Sequence, residues 1–455
     1  MKKALRLGAV VAVAAFAAAS LTVAAPAQAA SCSSKTEITM LGTIKPEIQD
    51  QFLSAVNDYN SSQTCYHLTS IPGDRNLTFL QNVTPMYAAH NAPTIMYTLQ
   101  EIPNMADKVM NWDSTPLAKL VPANLKTAAT IGGHLKGVPS TAEAFGLLYN
   151  KTVLSAAGVN PDKIQTRSQL EAAFKAVNAY YAGKSGKLPA GRGAVRFSSI
   201  WWSLGAHFTN EYFTNAAKTH EGRLAVLDAM ADGKKNLMAD PVFKDYLATF
   251  HLLNKYNQHA PNTTDTEYTA AAGDLSSGKT AFWFMGNWAE PTLLTNSPES
   301  QFGIMPLPIS DNAKAYGNDS ISVGVPGYFM VDNTQSTPEQ RAGAVDFLTW
   351  LYTSPAGQHH VVDSVTKGGM GFIPVYNGTK VKPSTYMSQV IAKYVGAGKV
   401  LDWMNTFYPA GGQDIYGALG QKLMAGAIKD AAYAKGLQDA WKGTAKTWRG
   451  ESATK

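Results

Sequence analysis

The chain runs to 455 residues, 45% hydrophobic and 16% charged, with 39 Lys and Arg against 33 Asp and Glu for a formal net charge of +6. That length suits two or three domain-sized units, each with its own core. So mild a positive balance does not offer the concentrated basic face on which nucleic-acid binding depends, and nucleic acid is not an expected partner.

The N-terminus reads as an export signal. Lys2, Lys3 and Arg6 form a basic start, Leu7–Val23 is uncharged and rich in Ala and Val, and Ala27-Gln28-Ala29 is a small-x-small cleavage site before Ala30. Residues 1–29 therefore fit a secretory signal peptide. Ala is too weakly apolar to make this stretch an anchor, and no later stretch approaches the roughly 18 apolar residues that a membrane span needs. Cleavage removes three basic residues and no acidic one, which leaves the mature chain at +3.

Strands and helices then alternate. Glu37–Leu41 reads as a strand, Pro46–Tyr59 as a helix with Ile48, Phe52 and Val56 on one face, and Tyr66–Ile71 as a second strand. Asn76–His90 reads as a helix containing Pro85, and Pro93–Tyr97 as a third strand. Strand–helix–strand at this spacing implies right-handed βαβ units and a parallel sheet. Cys32 stands just before the first strand and Cys65 opens the second. If those strands are parallel neighbours, both sulfurs fall at one sheet edge, where a bridge is geometrically possible. An even cysteine count in an exported chain favours a disulfide. Ala29-Ala30-Ser31-Cys32 also has the form of a lipobox, although Ala29 stands where Leu is usual, so a lipid on Cys32 is the competing expectation.

Residues 137–151 form the most informative stretch. An apolar run carries one isolated carboxylate, Glu143, and ends in Tyr149-Asn150-Lys151, which reads as turn chemistry. A single carboxylate inside a strand is costly to bury unless something satisfies it. Beyond Asn150 the pattern turns mainly helical. Thr166-x-x-Gln169 is a capping box before Leu170, Phe174, Val177 and Tyr181. Thr337-Pro338-x-Gln340 repeats the device before Val345, Leu348 and Tyr352. There is no internal repeat, low-complexity tract or long linker.

The Glu143 segment resembles the signature of bacterial extracellular solute-binding proteins, the capture subunits of ABC importers, and particularly their carbohydrate-binding, maltose-binding-protein-like branch. Further anchors are Pro93-Thr94-Ile95, Gly278-Lys279-Thr280 leading to Gly286-Asn287-Trp288, Phe302–Pro308, Ser322–Met330, Ser354–Gln358 and the Gly368–Pro374 loop. Thr94 replaces a common Asp, and Arg167 a frequent Trp. The resemblance implies an α/β, two-lobed periplasmic-binding-protein-like fold of class II type, with parallel-sheet lobes and flanking helices closing on ligand about a multi-crossing hinge. Crossings are expected near Ala142–Gly146, Val323–Gly327 and Met370–Pro374, which puts 30–142 plus 327–370 in one lobe and 143–326 plus 371–455 in the other. It also implies a monomer without catalysis or cofactor, serving membrane permease subunits from the periplasm or the outer face of the membrane.

A sugar offers apolar C–H faces and a ring of hydroxyls, so its site needs aromatic planes together with carboxylates and amides. The candidates are Glu143, Trp288, Trp403, Trp201, Trp202 and Phe407, with Glu101 and Tyr97 at the end of the third strand, Gly42 and Thr43 at the end of the first, and Met370 beside the third crossing. Several aromatics across a broad cleft favour an oligosaccharide over a monosaccharide. Trp283 and Trp350 read as core, and Trp441 and Trp448 as packing or surface. His359-His360 lies in a helix, where adjacent residues point apart, so a shared metal is not expected. Two rivals remain: a secreted glycoside hydrolase, which would need a paired acid and base not evident here, and the same fold binding a polyamine, phosphate ester or metal.

Overall fold

A computed structural model describes residues 32–42, 45–74, 77–98, 101–259, 267–298, 301–409 and 411–453, excluding the side chains of Pro46, Asn124 and residues 443–453. The leader, Thr43 and the Trp448 side chain lie outside that description.

The first sheet is built as the alternation predicts. β1 (Thr36–Gly42) runs parallel to β2 (Tyr66–Pro72), with Ile38 opposite Leu68, and parallel to β3 (Ile95–Thr98) on its other side. The connecting helix Gln49–Ser62 buries Phe52, Ala55, Val56 and Tyr59, one stripe at helical spacing. The second connector, Phe79–Ala88, begins at a full capping box between Thr78 and Gln81 and keeps Pro85 inside. A small hairpin, β4 (Thr130–Ile131) and β5 (His134–Leu135), precedes β6 (Val138–Pro139). Cys32 and Cys65 are disulfide-bonded with their Cα atoms 4.9 Å apart, at the sheet end where both strands begin.

The second sheet grows around β7 (Glu143–Asn150), every residue of which is buried. Its partners are β9 (Thr280–Gly286), β10 (Phe302–Met305) and β11 (Ile321–Gly324), all antiparallel to it. β8 (Gly193–Arg196) runs parallel to β9, while β11 runs parallel to the short β13 (Val400–Leu401). β12 (Tyr328–Val331) returns to the first sheet, antiparallel to both β3 and β6. The sheets are therefore mixed rather than purely parallel. The reversed strands, β7 and β12, each follow directly on a crossing from the other lobe, so their direction is set by the hinge instead of by a βαβ turn.

Two separate hydrophobic cores correspond to the two lobes. The chain passes between them at 140–142 and at 325–327. Near 370 the expectation needs revision: Met370, Phe372, Val375 and Tyr376 pack in the first core, Ile373 in the second, and the second core resumes at Met387. This stretch lies along the hinge, and the Ala142 N–H donates to the Ile373 carbonyl at 2.8 Å. Leaving β7, Asn150 caps the helix Lys151–Ala156, its side chain accepting from Thr152 and Val153 N–H at 3.1 and 3.2 Å. Thr337 and Gln340 form the complete capping box. Thr166 accepts from Gln169 N–H, but the Gln169 side chain returns to Gln165 instead of Thr166. No helix among the described residues is long and apolar enough to cross a membrane.

Candidate ligand cleft

The cleft is assembled from the residues that bound the crossings. Glu143 is the first residue of β7 and only 2% exposed. Its carboxylate is paired with Lys45, which reaches over from the first lobe just beyond β1. The next backbone N–H, of Ala144, donates to Asn287 Oδ1 at 2.8 Å. That bond ties the start of β7 to the turn that follows β9 and carries Trp288. The turn exists because Gly286 has no side chain: a Cβ there would lie 2.0 Å from the Trp288 ring. Two other ring positions are made the same way. A Cβ on Gly324 would lie 2.3 Å from the Trp403 ring, and one on Gly327 would lie 2.4 Å from that of Tyr97.

The second lobe thus offers a wall of rings. Phe145 lies 4.6 Å from His207 and 5.4 Å from Trp403 between ring centroids. His207 in turn lies 4.8 Å from Trp288, and Trp202 flanks Trp288 at 6.3 Å. Tyr268 completes the wall beside Trp202 at 6.2 Å. Phe145 is fully buried behind the others; Trp202, His207, Tyr268, Trp288 and Trp403, with Asn405 and Gln413, face Lys45, Glu47 and Glu143 across a cavity of about 440 Å³. Lys45 Nζ stands 5.1 Å from the Trp288 centroid, a cation–π approach between the lobes. A second cavity of about 50 Å³ adjoins it through Lys45, Glu143 and Pro326, and Tyr97 and Met370 line it.

The loop carrying Trp403 and Asn405 is clamped from behind. Asn210 is wholly buried. Its Oδ1 accepts from Met404 and Asn405 N–H at 2.6 and 3.2 Å, and its Nδ2 donates to the Asp402 carbonyl at 3.2 Å. Burial works against the Asp402 charge, yet His220 and Arg223 hold its carboxyl below the usual carboxylate range. Burial dominates the other groups. It raises the Glu143 carboxyl, with Lys45 opposing, and it pushes His207 down to about 3, helped by the Lys45 charge. Tyr268 is raised by burial and then by Glu47.

Of the expected site residues, the fold brings Glu143, Trp288, Trp403 and Trp202 to the larger cavity, and Tyr97 and Met370 to the smaller. Others fall elsewhere. Trp201 is 42% exposed, because adjacent helical residues diverge and Trp202 takes the inward position. Glu101 accepts from the Thr98 hydroxyl at the start of the next short helix. Phe407 packs half-buried against His220, and Gly42 closes β1 without lining either cavity. Trp283 and Trp441 are fully buried, and Trp350 packs partly buried against the first core. His359 and His360 turn to different carboxylates, Asp363 and Asp58, and no cluster able to hold a metal occurs among the described residues. Lys45, Glu47, His207, Tyr268, Asn405 and Gln413 were not anticipated. His207 lies five residues after Trp202 and Asn405 two after Trp403, and the polar neighbours of those rings were the available signal.

Among solved structures, RafE in complex with raffinose matches 90% of this chain and all of its own at a TM-score of 0.72 and 14% identity. RafE from Streptococcus pneumoniae without ligand gives 0.69 at 15%, covering 91% of this chain and all of its own. A Bacillus licheniformis sugar transporter structure in complex with stachyose gives 0.67 at 17% identity, covering 90% and 100%. The cyclic α-maltosyl-1,6-maltose binding protein of Arthrobacter globiformis gives 0.64 at 17%, covering 91% of this chain and all of its own. At these identities the likeness establishes the two-lobed solute-binding fold. No curated protein sequence matches. The family model described as bacterial extracellular solute-binding protein matches residues 79–358, more than half of the chain. The chain belongs to that family.

Proposed function

We propose that the protein captures an oligosaccharide outside the cytoplasm and delivers it, by hinge closure, to the permease subunits of an ABC importer. The observation that carries this reading is the cavity itself. A wall of five rings, Trp202, His207, Tyr268, Trp288 and Trp403, backed by the buried Phe145, faces a Lys45–Glu143 ion pair. Ring planes take up the C–H faces of a sugar, while the carboxylate, ammonium and amide groups exchange hydrogen bonds with its hydroxyls. A cavity of about 440 Å³ falls in the range for small-molecule ligands. The raffinose, stachyose and maltosyl-maltose complexes or specificities of the structural neighbours support the ligand class.

Two carboxylates line this cavity, Glu143, paired with Lys45, and Glu47, and capture without turnover is the reading that family membership supports. Family membership implies export. With the Cys32 sulfur engaged by Cys65, a lipid at that position is displaced, so release from the membrane is favoured over anchoring. Thermal unfolding of the mature protein against raffinose, stachyose, maltotriose, chitotriose, spermidine and glucose 6-phosphate tests the reading. A sugar at 100 times its dissociation constant adds about 2.7 kcal/mol of stability. A response to spermidine or the phosphate ester alone overturns the sugar reading, and hydrolysis of a bound oligosaccharide overturns the absence of catalysis.

A further inference from the structure

Resting on that reading, we infer that His207 is a specificity-determining ligand contact, a neutral imidazole that exchanges a hydrogen bond with one sugar hydroxyl in the middle of the ring wall. Three independent features of the structure lead to it. The first is backbone. His207 lies in a π-helical turn, Ser203–Phe208, where the Thr209 N–H reaches the Leu204 carbonyl five residues back. Such turns add a residue to the helical repeat and re-aim the side chains beyond, and they gather at functional positions. Here Phe208 remains fully buried in the core, while the preceding His207 is swung out to line the cavity.

The second feature is the company it keeps. His207 touches Phe145, Trp202, Trp288 and Trp403, with centroids between 4.6 and 6.0 Å. It is therefore the polar hub of an otherwise aromatic surface. The third is an unsatisfied ring. Its Nδ1 is buried without a hydrogen-bond partner, which leaves Nε2 as the nitrogen available to a ligand in the cavity. The charged and titratable groups around this cavity are Lys45, Glu47, Glu143 and Tyr268. Lys45 opposes a second positive charge on the imidazole. A neutral ring with one nitrogen open to the cavity can exchange a hydrogen bond with an uncharged hydroxyl.

The test compares His207→Phe, which keeps the ring area, with His207→Gln, which keeps a polar end. Affinity for the tightest sugar of the panel above is measured by titration calorimetry. His207→Phe is expected to weaken binding by about tenfold, and His207→Gln by no more than about threefold, the scale of one neutral hydrogen bond. In parallel, the His207 imidazole resonances of the unaltered protein should shift on saturation with that sugar and report a neutral ring down to pH 5. Equal affinity of His207→Phe and the unaltered protein, or unmoved imidazole resonances on saturation, overturns the assignment while leaving sugar capture intact. Absence of any sugar response in the unaltered protein overturns both.

Discussion

The two lobes contribute opposite chemistry to one cleft. The second lobe supplies a continuous aromatic surface fixed by backbone devices: the Gly286 and Gly324 seats, the Asn287 bond to β7, and the Asn210 clamp. The first lobe supplies Lys45 and Glu47, two long charged side chains standing between β1 and the helix Gln49–Ser62. Rigid rings lose little freedom on binding, whereas long charged side chains must be ordered. The difference suggests a division of labour, in which the second lobe holds the sugar and the first lobe completes its polar contacts as the cleft closes.

The sharpest way to break this comparison is at Trp288. Trp288→Ala should cost about 1–3 kcal/mol of sugar affinity, by analogy with stacking losses on other ring ligands, and calorimetry would show it. Gly286→Val leaves the indole in the chain but takes its place, so a loss of similar size is expected with Trp288 still present. Unchanged affinity in both would remove the ring wall from the site. Next, Glu143→Gln should weaken binding by about 1–2 kcal/mol, since a charged acceptor becomes a neutral one and Lys45 loses its partner. Lys45→Met should weaken binding by about 0.5–1.5 kcal/mol. If the lobes divide as described, its main effect is on the compaction that ligand induces in small-angle scattering; a loss equal to that of Trp288→Ala would refute the division.

The smallest effect concerns pH. Burial pushes the Glu211 carboxyl up to about 8, with Ser322 opposing, so the folded protein binds a proton that the unfolded chain has released. A raised carboxyl contributes stability that is complete below the unfolded value and is lost as pH rises towards 8. Glu211→Gln, which is permanently neutral, should therefore gain thermal stability relative to the unaltered protein at pH 8 and gain little at pH 5. Melting curves at the two pH values read this directly.

Much of the fold was legible because periodicity carries it. The stripe of Phe52 and Val56, the box at Thr337 and the turn at Asn150 are local, and their structures follow from a few neighbouring residues. The direction of β7 was not, because it depends on how the hinge delivers the strand and not on its own apolar run. In the cleft, Glu143 stood out as a charge where none should be, and Trp288 as a ring after Gly-Asn. Lys45 did not, since a Lys after a strand is ordinarily a solvated surface residue. His207 was hidden by the π-helical turn: a reading at 3.6 residues per turn cannot place side chains beyond an inserted residue. Trp201 and Trp202 could not be separated by sequence, as one helical step decides which faces ligand.

The glycine seats also constrain how such a protein could change its diet. A ring pressed against a missing Cβ is adjustable only together with the backbone beneath it, so exchanging Trp288, Trp403 or Tyr97 is a two-site problem. Lys45 and Glu47 press on no such seat. New sugar preferences should therefore arise first by single substitutions on the first-lobe face, and a directed-evolution library confined to those two positions would search more productive variants than one spread over the rings.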